Sequence, residues 1–435
     1  MTDRRFHLGW FMNFSGNASW RGPWGGDIGA TWPDGRFHVD FARMLERACF
    51  DYIMIEDSSM VPDCYAGSLE TELKHGLYAP KHDPVALQAT LAQHTDRLGI
   101  VATMSTSLYP PFLLARGLAT LDHLSSGRVG WNIVTSSEDR AAQNYGLDAL
   151  PDHDERYDRA DEFVDLVERL WGSWAPDALV MDRATGRYVD HTKVAPIDFQ
   201  GKWFRSRGPL NTLPMPQGRP VYCQAGGSTR GREFAAAHAE TIIASADGVA
   251  GMKAYREDIR ARMERLGRDP DSCKILFVVA PVLAETDALA RSLAAHLAED
   301  TEWLAEAALA HLSALTENDF SGFDLDGPVP AVTTNGHRST LADFLRRSAD
   351  APTLREAAAR WTIESLPLVG SPETVADTMC AAIDEVGGDG FLITGGMSRD
   401  LAVRVCDGLV PALQRRGRVR TAYTHEHFRD NLMEF

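Results

Sequence analysis

The sequence predicts an α/β protein folded as a (β/α)8 TIM barrel with insertions. Three observations carry this expectation. Short apolar runs alternate with helix-length amphipathic stretches along the chain, and eight such runs can be marked. Hydroxyl and carboxylate side chains collect where a run gives way to a helix, at the strand ends where parallel sheets place their ligands. No repeat period of the solenoid kind competes with this pattern. The whole of 1–435 reads as one barrel domain, with insertions at about 58–83, 175–220 and 299–366, the largest lying between strands seven and eight.

The elements follow in order. Phe6 to Met12 forms strand one, followed by the glycine- and tryptophan-rich loop NASWRGPWGG and a helix from about Val39 to Ala48. Strand two is DYIMIED, Asp51 to Asp57, and a polar connection from Ser58 to Asp83 leads to a helix opened by Pro84, a residue suited to a first turn. Strand three, LGIVATMSTS, ends in Thr103, Ser105 and Thr106, and Pro110-Pro111 opens the next helix. In strand four Val129, Trp131 and Ile133 alternate with Gly130, Asn132 and Val134, giving one bulky face and one small or polar face. Pro151, a capping Asp152 and Glu155 then start a long helix with an apolar stripe from Phe163 to Trp174. His153 and Tyr157 fall one turn apart at its N-terminus, where anions are attracted. The irregular stretch Ala175 to Pro220 holds a hairpin candidate, FQGKWFRSRG. VYCQAGG, TIIAS, KILFVVAPVLAET and GFLITGG supply strands five to eight. Alanine-rich helices, Thr301 to Leu315 and Leu354 to Arg360, flank a loop whose segment Asn318 to Ser339 reads as a lid or, with its helices, as an oligomer contact.

Composition narrows the function. With 44% hydrophobic residues a large core is easily filled, and a net charge of -17 argues against nucleic acid or an anionic membrane as partner. Six scattered cysteines without a C-x-x-C pair suit a reducing cytoplasm. The N-terminus lacks the pattern of a signal peptide, and no apolar run reaches membrane-spanning length. A cytoplasmic protein is therefore expected. No metal is expected either: His425 and His427 stand in a polar C-terminal tail without a third ligand, and strand one carries no H-x-H pair.

Two further stretches are candidates for chemistry. In QAGGSTRGREFAAAHAE, Gly226 and Gly227 let backbone approach a ligand, and Ser228 and Thr229 fall at a helix start that favours phosphate. The bland alternative is a turn. This is neither a nucleotide-hydrolase loop nor a dinucleotide fingerprint. Glu56 and Asp57 place two carboxylates at the end of strand two, suited to hydrogen bonding or proton transfer, or simply to a solvated loop. His153 and Tyr157 can likewise do no more than cap and cover their helix.

Taken together, SGRVGWNIVTS, AAQNYG, HDERYDRADEFVDLVERLW, QAGGSTRGREFAAAHAE and PLVGSP resemble the flavin-dependent monooxygenases grouped with nitrilotriacetate monooxygenase component A. That group includes the pristinamycin synthase subunit and the dibenzothiophene sulfone, dimethyl sulfide and long-chain alkane monooxygenases of the bacterial luciferase superfamily. The resemblance extends from strand one to Gly396. It implies a two-component enzyme that binds FMN as FMNH2, takes O2 as co-substrate and inserts one oxygen atom into a small organic substrate through a flavin (hydro)peroxide. With no dinucleotide fingerprint present, a separate NAD(P)H:flavin reductase would supply the reduced flavin, and a homodimer or homotetramer is expected. Residue by residue, it implies that Ser228, Tyr157 and the neighbouring amides of Gly227 and Thr229 hold the phosphate, with Asp57, Thr103 and Asn132 nearer the isoalloxazine. His153 becomes either the catalytic proton handler or a residue that positions flavin. Trp10, Phe11, Trp20, Trp24 and Met104 are the expected apolar wall. The rival readings are a deazaflavin-dependent dehydrogenase of the same superfamily, a non-catalytic flavin-binding protein and an interaction scaffold.

Overall fold

Eight parallel strands close on themselves in the computed structural model, which describes residues 4–12, 20, 26–363 and 365–435. They are β1 (His7–Met12), β2 (Tyr52–Ile55), β3 (Gly99–Ser105), β4 (Val129–Val134), β5 (Val221–Gln224), β6 (Thr241–Ala244), β7 (Lys274–Val279) and β8 (Gly390–Thr394). Each pairs with its neighbours in sequence, and β8 returns to β1 with His7 opposite Gly390. Strand seven, expected to run on to Thr286, stops at Val279. Pro281 cannot donate to the ladder, and Val282–Leu283 turn away to pair with Val369–Gly370 instead.

Alternation across the wall sorts the side chains. Leu8 and Trp10 of β1 point outward onto Phe37, Phe41 and Phe50, while Val129, Trp131 and Ile133 of β4 pack on Phe163 and Leu170 of the His153–Trp171 helix. Tyr52, Met54, Val101, Leu276 and Leu392 fill the interior. A β-carbon at Gly99 would lie 2.5 Å from the ring of Phe428, and one at Gly130 would lie 2.6 Å from Val101 Cγ2. These strand glycines make room for a plug, the short helix Phe428–Leu432, whose Phe428 and Leu432 are fully buried.

The C-terminal segment is therefore not the polar tail the sequence suggested. His427 lies against Gly127, at the head of the plug, and no group of His, Cys, Asp or Glu among the described residues could hold a metal ion. Buried charge fastens the plug: Arg420 donates to Asp51 at 2.7 Å and to the Asn431 carbonyl at 2.7 Å, and Asp51 also meets His7 at 2.9 Å. Burial alone would raise the Asp51 carboxyl, but Arg420 and His7 hold it down to about 2.

The insertions are built rather than loose. In the second, Phe199–Gln200 pair antiparallel with Arg205–Ser206 in the expected hairpin, and Glu162 accepts the backbone N–H groups of Lys202, Trp203 and Phe204 at 2.8 to 2.9 Å. The largest lies between β7 and β8 and includes the helices Thr301–Thr316, Arg338–Arg347 and Leu354–Arg360. These close over their own apolar cluster around Leu312, Phe320, Phe344 and Leu354. The segment Asn318 to Ser339 is thus anchored by a fully buried Phe320. Among the described residues no helix is long and apolar enough to cross a membrane. Truncating the plug tests its contribution: Phe428→Ala should cost about 3 to 5 kcal/mol in chemical denaturation, and a loss below about 1 kcal/mol would show that the barrel does not depend on it.

Candidate active site

A cavity of about 390 Å3 opens at the carboxyl ends of the strands. Asp57, Thr103, Asn132, His153, Tyr157, Gly227 and Ser228 all line it. Thr229 does not; it opens the Thr229–His238 helix outside the cavity wall. The expected apolar wall is only partly found there. Phe11 lines the cavity, but Trp10, its neighbour on the strand, must face the other way and stacks edge-on against Phe41 at 4.9 Å. Met104 likewise belongs to the helix-facing layer with Leu114 and Trp131, Trp20 is half exposed, and Trp24 lies outside the described residues. Leu108, Tyr109 and Leu315 line the cavity beside Phe11.

The floor is set by donor and acceptor logic. Thr103 donates its hydroxyl proton to the Ile55 carbonyl at 2.8 Å, so only its lone pairs remain to meet Asn132 Nδ2 at 2.9 Å. That fixes the Asn132 amide, and its Oδ1 is left buried with no protein partner. An orphaned acceptor in a cavity wall costs roughly 1 to 3 kcal/mol, which a ligand N–H could recover.

One corner gathers hydrogen-bonding groups around a helix start. Ser228 caps the Thr229–His238 helix, accepting from Gly231 N–H at 3.0 Å. A β-carbon at Gly231 would sit 2.8 Å from the Tyr157 hydroxyl and 3.0 Å from Ser228 Oγ, so glycine lets the three groups converge. Burial raises the Tyr157 phenol, keeping it a proton donor. Burial likewise lowers His153, as do the nearby Arg338 and Arg156 charges, while Asp154 at 2.6 Å opposes the shift and pins Nδ1. Arg156 is 1% exposed and donates to the Pro151 and Asn335 carbonyls at 2.8 and 2.9 Å, its Nε has no partner, and no carboxylate pairs with it among the described residues. Sequence reasoning missed it. In HDERYDR it looks like one more solvated charge on a helix.

At the opposite end a buried carboxyl stands beside the Lys81–Glu56 ion pair. Burial pushes Asp57 up to about 7, although Lys81 works against the shift. Lys81 is occupied by Glu56 at 3.1 Å and Ser58 at 3.0 Å and lies over the Tyr78 ring. His311, pushed down to about 4 by burial, sits between the rings of Tyr78 and Trp361. Between the two ends, next to Arg338, His337 Nε2 stands 3.7 Å from Glu138, whose Oε1 accepts from Ser137. Tyr78 and His337 come from irregular stretches of the insertions that no periodicity marks, and His311 stands on the expected Thr301 helix, whose packing over the cavity no local pattern shows.

Because folding favours the neutral form of Asp57, the folded chain binds more protons than the unfolded one between about pH 4 and about pH 7, and stability should fall as pH rises through that window. Asp57→Asn should remove this loss, gaining on the order of 2 kcal/mol at pH 8 once residual solvent at the carboxyl is allowed for. Parallel denaturation curves for both proteins from pH 4 to pH 8 would rule out the buried neutral acid.

Known proteins share this architecture. The profile of the luciferase-like monooxygenase family matches residues 12–390. The dibenzothiophene-sulfone monooxygenase of Rhodococcus erythropolis (strain XP) is 37% identical, over 99% of this chain and 96% of that protein. Among solved structures, the long-chain alkane monooxygenase LadA superposes with a TM-score of 0.87 at 31% identity, covering 99% of this chain and 96% of its own. A riboflavin lyase crystallised with modified FMN and riboflavin gives a TM-score of 0.87 at 33% identity, with 99% and 96% coverage.

Proposed function

The chain belongs to the luciferase-like monooxygenase family, and from that premise we propose that it is the oxygenase of a two-component system. It takes FMNH2 from a separate NAD(P)H:flavin reductase and, with O2, inserts one oxygen atom into a small organic substrate. The observation that carries this reading is the pairing of two unlike ends in one cavity. One end gathers Ser228, Tyr157, Gly227 and the carboxylate-free Arg156; the other presents the orphaned Asn132 oxygen beside Thr103. A phosphorylated heterocycle with ring N–H groups satisfies both, so the residues present fit the cofactor.

Bound reduced flavin supplies the electrons that activate oxygen. The chain's own residues do the rest. Ser228, Tyr157 and the Gly227 backbone hold the phosphate, and Arg156 offsets its charge. Asn132, Thr103 and Asp57 orient the ring. Phe11, Leu108, Tyr109 and Leu315 keep water from the reacting face. His153 stands in the phosphate corner with Nδ1 held by Asp154, so its role is positioning. Protons at the other end are held by Asp57, half protonated near pH 7, and by the neutral His311. Phe11, Leu108, Tyr109 and Leu315 suit an uncharged substrate such as the sulfone and the alkane named for the relatives.

Oxygen uptake with FMN, a flavin reductase and NADH, against a panel holding an aromatic sulfone, a long-chain alkane and riboflavin, tests the reaction. Reduction of a substrate or cofactor without oxygen uptake would point to the deazaflavin dehydrogenase reading. FMN should bind more tightly than riboflavin by roughly 2 to 5 kcal/mol, the worth of two or three charge-assisted hydrogen bonds. His153→Asn should weaken FMN binding yet leave product formed per oxygen consumed largely unchanged at saturating flavin. Release of hydrogen peroxide in place of product would instead make His153 the proton handler.

A further inference from the structure

The His153–Trp171 helix begins without a cap of its own: the Asp152 side chain makes no capping hydrogen bond. The missing acceptor comes from the largest insertion. Asn335 Oδ1 accepts the His153 backbone N–H at 3.0 Å, Asn335 Nδ2 reaches the Pro151 carbonyl at 3.4 Å, and the Asn335 carbonyl accepts from Arg156 at 2.9 Å. The strap around Asn335 is let in by two glycines. A β-carbon on Gly336 would lie 2.5 Å from the Leu315 carbonyl oxygen, and one on Gly227 would lie 2.8 Å from Ser339. The strap thus rests on the same Gly227 that lines the anion corner.

It also brings charge. Arg338 lines the cavity, and its nearest carboxylate is Asp154, 3.9 Å away and 69% exposed. Arg338 and Arg156 both act to lower His153, and Arg338 also acts on Arg156. Two cations therefore share one corner with the solvated Asp154 and, acting on Arg156 without bonding it, Glu138 and Asp139, and an anion bound there would add a direct partner for both.

We propose that residues 334–340 form a third wall of the phosphate corner, in which Asn335 positions the helix carrying His153 and Tyr157 and Arg338 faces the phosphate. Strap docking and binding of a phosphate monoester are then one coupled equilibrium, each strengthening the other by the same factor. This rests on the flavin reading above and adds to it the residues by which the insertion recognises the phosphate.

Oxidised FMN and riboflavin share one ring and differ in the phosphate, so they separate the terms. In the full-length chain, FMN should slow hydrogen exchange of the 334–340 amides about tenfold or more, as inorganic phosphate should in part, whereas riboflavin should not. Asn335→Ala and Arg338→Gln should each weaken FMN by roughly five- to thirtyfold while leaving riboflavin within about twofold. Asn335→Ser, which keeps an oxygen able to cap, should recover part of the loss. Equal weakening of both flavins by Asn335→Ala would reduce Asn335 to a fold-stabilising residue and overturn the proposal. So would wild-type preference for FMN persisting unchanged in Arg338→Gln, or strap exchange indifferent to FMN. A wild-type chain that binds FMN no better than riboflavin would remove the phosphate corner itself, and the proposed function with it.

Discussion

Alternation of side chains across the barrel wall is the constraint on which the site depends. Every inward position of a strand is fixed once its neighbours are fixed, because a slip of one residue would exchange the apolar outer layer for the floor of the cavity. The register of β3 on β4 places Thr103 opposite Asn132, and the hydroxyl-to-amide bond between them can form only on the inner face. The outward partners, Trp131 with Phe163 and Trp10 with Phe41, hold that choice in place. Apolar burial outside thus determines polar geometry inside.

The same constraint explains what could be read before any coordinates. The eight strands, the helix from His153 and the two alanine-rich helices declared themselves through periodicity, a local property, whereas the cap expected from Asp152 does not form and Asn335 takes its place. The residues expected to hold flavin, Thr229 apart, come together around one cavity because they stand at strand ends or helix starts. The apolar wall was misassigned where adjacency was mistaken for a shared face: Trp10 and Phe11 are neighbours in sequence and therefore lie on opposite sides. Arg156, Tyr78, His311 and His337 were invisible for a different reason. Their place depends on contacts between segments far apart in the chain, such as Asn335 with Pro151, that no local pattern encodes. Phe428 escaped notice because the glycines it needs, Gly99 and Gly130, belong to other strands.

Electrostatically the cavity is divided. The corner near Ser228 collects donors and cations against the positive end of a helix dipole, whereas Asp57 and His311 at the far end are driven toward neutrality by burial. Such a division orients a ligand that carries charge at one end only. Sequence spacing places His153 at a helix start but could not show which end of the cavity it borders.

The short parallel pairing of Val282–Leu283 with Val369–Gly370 holds the two ends of the largest insertion side by side. The chain therefore leaves and re-enters the barrel through one narrow gate, and the entropy of closing that long excursion is met by the gate rather than by the barrel strands. The segment is also docked on the strand-end loops, through Glu306 with His75, Glu317 with Asp139 and Asn335 with Pro151. Residues 284–368 are thus joined to the barrel at two adjacent points, and a stretch grafted in their place would have to match His75, Asp139 and Pro151 as well as the gate.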